Sequence, residues 1–291
     1  MQTGLLYIST VLIWGSTWFA ITFQLGTVEA LVSIAHRMAL SAVLTLLILA
    51  LRRGSPGLEL RHHPRILLLG LFLFSCNYLF VYAGTALLSS GLVAVVFSSM
   101  VVLNAIGGAL FLGDRLRPAV LLGGAIGMLG MGLLFWPELE SLSWADERLR
   151  GLLICLLGTL CASAGNMVAA GNIRRGLPVL ACNCWGMIYG ALVLYLAALL
   201  LGVPIRVDWR PDYLWSLLYL ALFGTVLAFW AYISLIGRIG ADRAAYTTLL
   251  FPVVALMLSS YLEDYRWSLW SLCGLALVLT GNWLAMRGTR A

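Results

Sequence analysis

The chain has 291 residues, of which 62% are hydrophobic and only 10% charged, and its mean hydropathy is +0.98. So little charge cannot cover the surface of a water-soluble domain of this size, which places the chain in lipid. The net charge of +6 comes from 18 arginines and no lysine; in a membrane protein that surplus reports orientation and does not point to nucleic acid.

Ten hydrophobic segments follow in chain order, at 4–23, 29–51, 66–85, 90–112, 117–136, 151–171, 179–201, 213–236, 242–262 and 267–286. At about 1.5 Å rise per residue, each crosses the ~30 Å hydrocarbon core as a helix. None shows the alternation over about ten residues that a barrel strand needs. The predicted fold class is therefore an all-α membrane protein. Met1-Gln2-Thr3 lacks the basic start of a signal peptide, and the first segment is long enough to remain as a helix. All six cysteines fall inside segments, which speaks against a disulfide framework, and the Cys182–Cys184 spacing does not match a zinc site. No metal and no cofactor is expected.

Five segments precede and five follow a polar bridge, Pro137 to Arg150, that carries Glu138, Glu140, Asp146, Glu147, Arg148 and Arg150. Five is odd, so the second set starts from the opposite face of the membrane and the halves run in opposite directions. The expected division is a first repeat at 1–136, an external linker at 137–150 and a second repeat at 151–291. Weak internal matches support it: Gly4-Leu5-Leu6 with Gly151-Leu152-Leu153, Ser16 with Ser163, Leu112-Gly113-Asp114 with Leu262-Glu263-Asp264, and Gly124 with Gly274. Only five arginines (Arg148, Arg150, Arg206, Arg210 and Arg266) fall on the side of the bridge; all others but Arg37 fall on the opposite side. The positive-inside rule then puts both termini in the cytoplasm of a multi-pass protein of the cell inner membrane.

Unpaired polar groups are costly in lipid, so polar residues deep in a segment usually face the bundle interior. The first segment offers Trp14, Ser16, Thr17 and Trp18; the third, Asn77, Tyr78 and Tyr82; the fourth, Ser98, Ser99 and Asn104. From the second half come Ser163 and Asn166, then Thr225, Phe229 and Trp230, then Tyr246, Thr247 and Thr248. Each of these could instead be packing glue or an interfacial anchor, as Tyr213, Trp215, Trp267 and Trp270 are expected to be. As a set they predict a polar and aromatic pathway at the midplane. Pro252 is the one proline inside a segment and frees the carbonyl of Thr248, so a tolerated bend or a gating break is expected there.

Arg37 is the only charge well inside a segment, about 12 Å from the outer face by helix rise. It could be the counter-charge for a substrate carboxylate or snorkel toward the surface. His36 beside it could carry protons or simply pack. Gly123, Gly127 and Gly130 give the fifth segment a small-residue face, suited to close packing within one chain or between two. The fifth and tenth segments are thus predicted supports, and the chain a monomer or a weak homodimer through them. Gly151, Gly158 and Gly165 predict a similar close contact for the sixth segment.

The order and spacing of several loose motifs resemble the ten-helix EamA-type branch of the drug/metabolite transporter superfamily. They are Trp14-Gly15-Ser16, Arg37, Tyr82-Ala83 with Thr85-Ala86, the acidic turns at Asp114 and Asp264, Pro252, and the glycines of the fifth and tenth segments. Val101-Val102 departs from the pattern where a proline matching Pro252 is common, as does the long acidic bridge. The resemblance implies two inverted five-helix repeats working by alternating access, and export of amino acids, drugs or other small metabolites.

No carboxylate lies deep in any segment, which favours facilitated diffusion over a proton pump. There is no GxxxxGK[ST] for ATP-driven transport and no HExxH for an intramembrane protease, so no enzyme is expected. The expected substrate-binding set is Trp14, Ser16, Trp18, Arg37, Asn77, Tyr78, Tyr82, Ser98, Ser99, Asn104, Ser163, Asn166, Trp230, Tyr246 and Thr248, with Pro252 as gate. The expected partners are a small-molecule substrate and the lipid bilayer. Aromatic and other neutral amino acids fit this set and the resemblance; drug-like or cationic aromatic compounds, with possible proton coupling, are the alternative.

Overall fold

The computed structural model describes residues 2–24, 26–88, 93, 96–134, 136, 147–262 and 268–287, and every regular element among them is a helix. The first half comprises α1 (Gln2–Thr22), α2 (Ala30–Leu51), α3 (Leu60–Thr85), α4 (Met100–Leu112) and α5 (Pro118–Leu134). The second comprises α6 (Glu147–Arg174), α7 (Val179–Leu200), α8 (Pro211–Ile239), α9 (Thr247–Leu262) and α10 (Leu269–Arg287). Among these, α2, α3, α6, α7 and α8 are long and apolar enough to cross a membrane by length and composition. Local signals set their ends. Prolines open α5 and α8, where the missing N–H would lack a partner anyway. Gly113, at φ 69°, closes α4 in the left-handed conformation that a side chain would strain.

The two halves pack by one repeated scheme. α1 lies against α8 and α9, as α6 lies against α3 and α4; α2 packs on α7, and α5 on α10. Most of the interior is therefore made between halves. The predicted supports are such a pair. A Cβ at Gly130 would stand 2.7 Å from the Gly274 carbonyl oxygen, and one at Gly274 would stand 2.6 Å from that of Gly130. The glycine face of α5 is thus covered within the chain, by α10. The glycines of α6 similarly meet α3, with Gly165 against Leu73 and Gly158 against Phe80 and Val81.

Each half also contains a wide π turn that the sequence did not announce. They run Phe72–Cys76 in α3 and Leu222–Leu227 in α8, starting 150 positions apart, the offset that relates Leu112 to Leu262. At equivalent places Ser75 and Thr225 donate their hydroxyls to carbonyls five residues back, Gly70 and Leu220, each at 2.9 Å. A hydroxyl that bonds the preceding turn competes with the backbone ladder and favours such a widening.

Several expectations change. Glu147 to Arg150 belong to α6 and not to the linker, while residues 137–146 and the turn at Glu263 and Asp264 lie outside the described residues. α9 runs unbroken through Pro252; its interruption comes earlier, where the short helix Ala241–Ala244 gives way to a turn at Ala245 and Tyr246. Trp215 and Trp270 face outward as expected of anchors, and Trp267 lies outside the described residues. Tyr213 does not act as an anchor: it is buried, sharing a 3.0 Å hydrogen bond with Ser33.

On the connection before α8, Asp208 accepts hydrogen bonds from the Arg210 backbone at 3.0 Å and its Nε at 2.7 Å. Arg210 also donates to Thr27 at 2.9 Å, tying that connection to the one between α1 and α2. The arginine holds the Asp208 carboxyl below the usual carboxylate range.

Candidate substrate cavity

A cavity of about 90 Å³ lies where the halves meet. α1 contributes Trp14, Thr17 and Ile21; α2 contributes Arg37; α3 contributes Leu73, Asn77, Tyr78, Val81 and Tyr82. Met100 opens α4, and Phe97 lies just before it. The second half adds Ala162 and Asn166 from α6, Phe229 and Tyr232 from α8, and Thr248 and Phe251 from α9. The wall is largely aromatic and carries no carboxylate among these residues.

The π turn of α8 anchors one end of it. The Gly224 carbonyl accepts from Trp14 Nε1 at 3.0 Å and from Arg37 Nη2 at 3.2 Å, so one backbone oxygen joins α1, α2 and α8. Arg37 Nε donates to the Thr225 hydroxyl at 2.9 Å, and its Cζ lies 4.8 Å from the centre of the Tyr78 ring. Arg37 is 2% exposed, does not snorkel, and its Nη1 has no partner. A buried unpaired donor costs about 1–3 kcal/mol, and more when charged. A cation over an aromatic face returns on the order of 0.5–2 kcal/mol. The hydrogen bonds to Thr225 and Gly224 and the Tyr78 ring hold the arginine in place, and Nη1 is the donor left without a partner.

Trp14 forms the middle of the wall, its ring 4.9 Å from Phe229, 5.1 Å from Tyr232 and 5.3 Å from Phe251. Beyond it Asn166 Nδ2 donates to the Tyr232 hydroxyl at 3.2 Å and to Asn104 Oδ1 at 3.4 Å. Asn104 Nδ2 in turn donates to the Ala241 carbonyl at 3.1 Å. This network joins α4, α6 and α8 to the segment before α9.

Of the residues expected at the site, Trp14, Arg37, Asn77, Tyr78, Tyr82, Asn166 and Thr248 line the cavity. Asn104 stands behind Asn166, while Ser98 and Ser163 are buried outside the lining. Ser99 bonds the Val96 carbonyl of its own helix. Ser16 lies one residue off the Trp14–Thr17 face and pairs with Tyr219 at 2.6 Å. Trp230 is exposed at the outside of α8. Tyr246 is buried and donates to the Val120 carbonyl, fastening the turn before α9 to α5. The side chains of Trp18 and Pro252 lie outside the described residues. His36 packs edge-on against Tyr195, away from the lining.

Ile21, Leu73, Val81, Phe97, Met100, Ala162, Tyr232 and Phe251 are the lining residues that residue type and depth alone overlook. The internal repeat held the signal for Tyr232, which stands 150 positions after Tyr82, the offset of Gly124 and Gly274.

Comparison with known proteins bears on what this cavity serves. The family model described as "EamA-like transporter family" matches residues 2–136 and again residues 149–287. The chain is 24% identical over 297 residues to the Escherichia coli protein named "Probable amino-acid metabolite efflux pump", covering 99% of this chain and 96% of that one. It is 28% identical over 252 residues to the E. coli "Uncharacterized inner membrane transporter YedA", covering 86% and 79%. To the Bacillus subtilis "Uncharacterized transporter YoaV" it is 23% identical over 250 residues, covering 86% and 84%. A solved crystal structure shares the fold with a TM-score of 0.80 at 18% identity, over 98% of this chain and 96% of the other.

Proposed function

Because the chain belongs to the EamA-like transporter family, we propose that it exports small carboxylate-bearing neutral solutes, aromatic and other neutral amino acids foremost, through the cavity around Trp14. The observation that carries this reading is Arg37: a buried guanidinium with Nη1 unpaired, in an aromatic wall without a carboxylate. A solute carboxylate supplies the missing partner as a charge-assisted hydrogen bond. The rings of Trp14, Tyr78 and Phe229 offer faces and edges for an apolar or aromatic side chain. An amphipathic cation could stack on the same rings but would meet an uncompensated positive charge, which disfavours it by Coulomb repulsion.

The membrane setting is read from the helices and the family; the finer placement, in an inner membrane with cytoplasmic termini, rests on the arginine asymmetry. With no carboxylate among the described lining residues to relay protons, transport runs down the solute gradient by alternating access.

Uptake of a labelled amino-acid panel by purified protein in sealed liposomes, with and without a pH gradient, tests the reading. Saturable uptake of aromatic or neutral amino acids without a gradient is expected. Uptake only under a gradient would replace facilitation by coupling. Uptake of amphipathic cations and of no amino acid would overturn the substrate assignment.

A further inference from the structure

The cavity has two chemically opposite ends. At one, Arg37 keeps a free donor, Nη1. At the other, Asn166 is 1% exposed and its Oδ1 has no partner. Which atom of that amide is free follows from its neighbours. Asn104 must point Nδ2 at the Ala241 carbonyl, which can only accept, so Asn104 presents its oxygen to Asn166. Asn166 must therefore present its nitrogen, an orientation that also suits the Met100 sulfur at 3.4 Å. Its oxygen is left as an unpaired acceptor. Asn77 on α3, also in the lining, has a second unpaired Oδ1.

Trp14 links the two ends. Its indole N–H shares the Gly224 carbonyl with Arg37, and its ring lies against Tyr232, whose hydroxyl accepts from Asn166. We infer that Asn166, with Asn77 as a second acceptor in the same lining, binds an ammonium group while Arg37 takes the carboxylate, so that the site reads both ends of a zwitterion across the face of Trp14. This rests on the export reading above and deepens it by naming the groups that take the amine. An ammonium group carries three donors and no acceptor, which complements two amide oxygens. Amide oxygens bind it without adding a buried negative charge, which explains how a cavity with no carboxylate accepts an amine. A solute lacking the amine leaves both oxygens unpaired and is rejected for that reason.

The test is inhibition of labelled L-phenylalanine binding by three unlabelled probes: L-phenylalanine, 3-phenylpropionate, which lacks the amine, and phenethylamine, which lacks the carboxylate. For the natural protein both single-group probes should bind at least about tenfold more weakly than phenylalanine. Asn166→Leu should close the gap to 3-phenylpropionate while keeping the gap to phenethylamine. Asn77→Asp, which brings a carboxylate into the same lining with little change of shape, should tighten phenethylamine and serves if Asn166→Leu does not fold. An unchanged probe order in both variants overturns the ammonium site and leaves the export reading standing. Failure of phenylalanine to bind the natural protein overturns both.

A different observation carries a second inference. A gap of about 10 Å³, room for one water, lies among α3, α6, α7 and α8. It continues the cavity along the same helix faces. α6 passes from Ala162 and Asn166 to Ala169 and Ile173, and α8 from Phe229 to Ile233, each at helical spacing. Both helices run here toward the face that carries Arg65, Arg174 and Arg175. Asn172 and Asn183 border the gap, 2% and 1% exposed, with Asn172 Nδ2 and both amide atoms of Asn183 unpaired. We infer that this gap is the closed remainder of the access path to the arginine-rich face, where those amides are wetted when the path opens.

Asn183→Leu separates this from a packing role, because Asn172 also accepts from Arg65 Nε at 3.3 Å whereas neither amide atom of Asn183 has a partner. Removing that unpaired amide with a near-isosteric leucine should leave the melting temperature equal or higher while uptake falls at least about tenfold. Undiminished uptake, or lost uptake accompanied by a lower melting temperature, would overturn it.

Discussion

Arg37 and Phe74 fill equivalent niches in the two halves of the fold. Phe74 sits in the π turn of α3 with its ring against Gly186 of α7: a Cβ there would stand 2.9 Å from Phe74 Cε2. The positions matching Phe74 and Gly186 in the other half are Gly224, 150 residues later, and Arg37, 149 residues earlier. A Cβ at Gly224 would stand 3.1 Å from Arg37 Nη2. Large and small have traded sides, so a ring seals one half where a guanidinium enters the cavity in the other.

That exchange separates two alanine variants. Gly224→Ala puts a Cβ 2.8 Å from Thr17 Cγ2 and crowds Arg37 from its place. We expect uptake to fall about tenfold or more, with a loss of stability near 1 kcal/mol. Gly186→Ala crowds the Phe74 ring instead and should cost about 1–3 kcal/mol as overpacking, with uptake per folded molecule preserved. Melting temperature and liposome uptake, measured on the same preparations, check both.

The α5–α10 contact brings backbone against backbone, with Gly281 against the Gly123 carbonyl as well as Gly130 against Gly274. Lipid supplies no hydrophobic drive between helices, so stability here comes from that close approach. Gly274→Val should lower the melting temperature by several degrees and reduce the folded yield, without changing which solutes compete for uptake.

Asp208 gives a pH dependence of defined sign. Its carboxyl is held below the usual range by Arg210, so its contribution is present above the unfolded value near pH 4 and is lost as pH falls through the lower folded value. Asp208→Asn should therefore melt below the natural protein at neutral pH, and the difference should vanish under strongly acidic conditions. A difference that persists there would remove the Asp208–Arg210 clasp from the account.

Much of this was legible in the residues, for reasons that can be named. The ten spans and the glycine face of α5 follow from composition and spacing, which lipid makes strict. Trp14, Asn77, Tyr78 and Asn104 sit too deep to be interfacial anchors; the first three line the cavity, and Asn104 stands behind Asn166. The errors are local. Residue type alone favours Trp230, yet it stands one position after Phe229 and so about 100° around the helix; it faces out. Tyr246 falls on a turn before α9 that no proline or glycine marks. The π turns depend on the hydroxyls of Ser75 and Thr225 finding carbonyls five residues back, a choice that hydrophobic spacing does not encode. With them went the junction at Gly224 that places Arg37.

The central claim is that Arg37 takes the carboxylate of the transported solute. Equilibrium binding of labelled L-phenylalanine to the purified natural protein and to Arg37→Gln tests it most directly, with melting temperatures taken alongside. A hydrogen bond to a charged group contributes about 1.5–3 kcal/mol, so the account predicts saturable binding that weakens roughly 10- to 150-fold in the folded variant. Equal binding by the two proteins would contradict it.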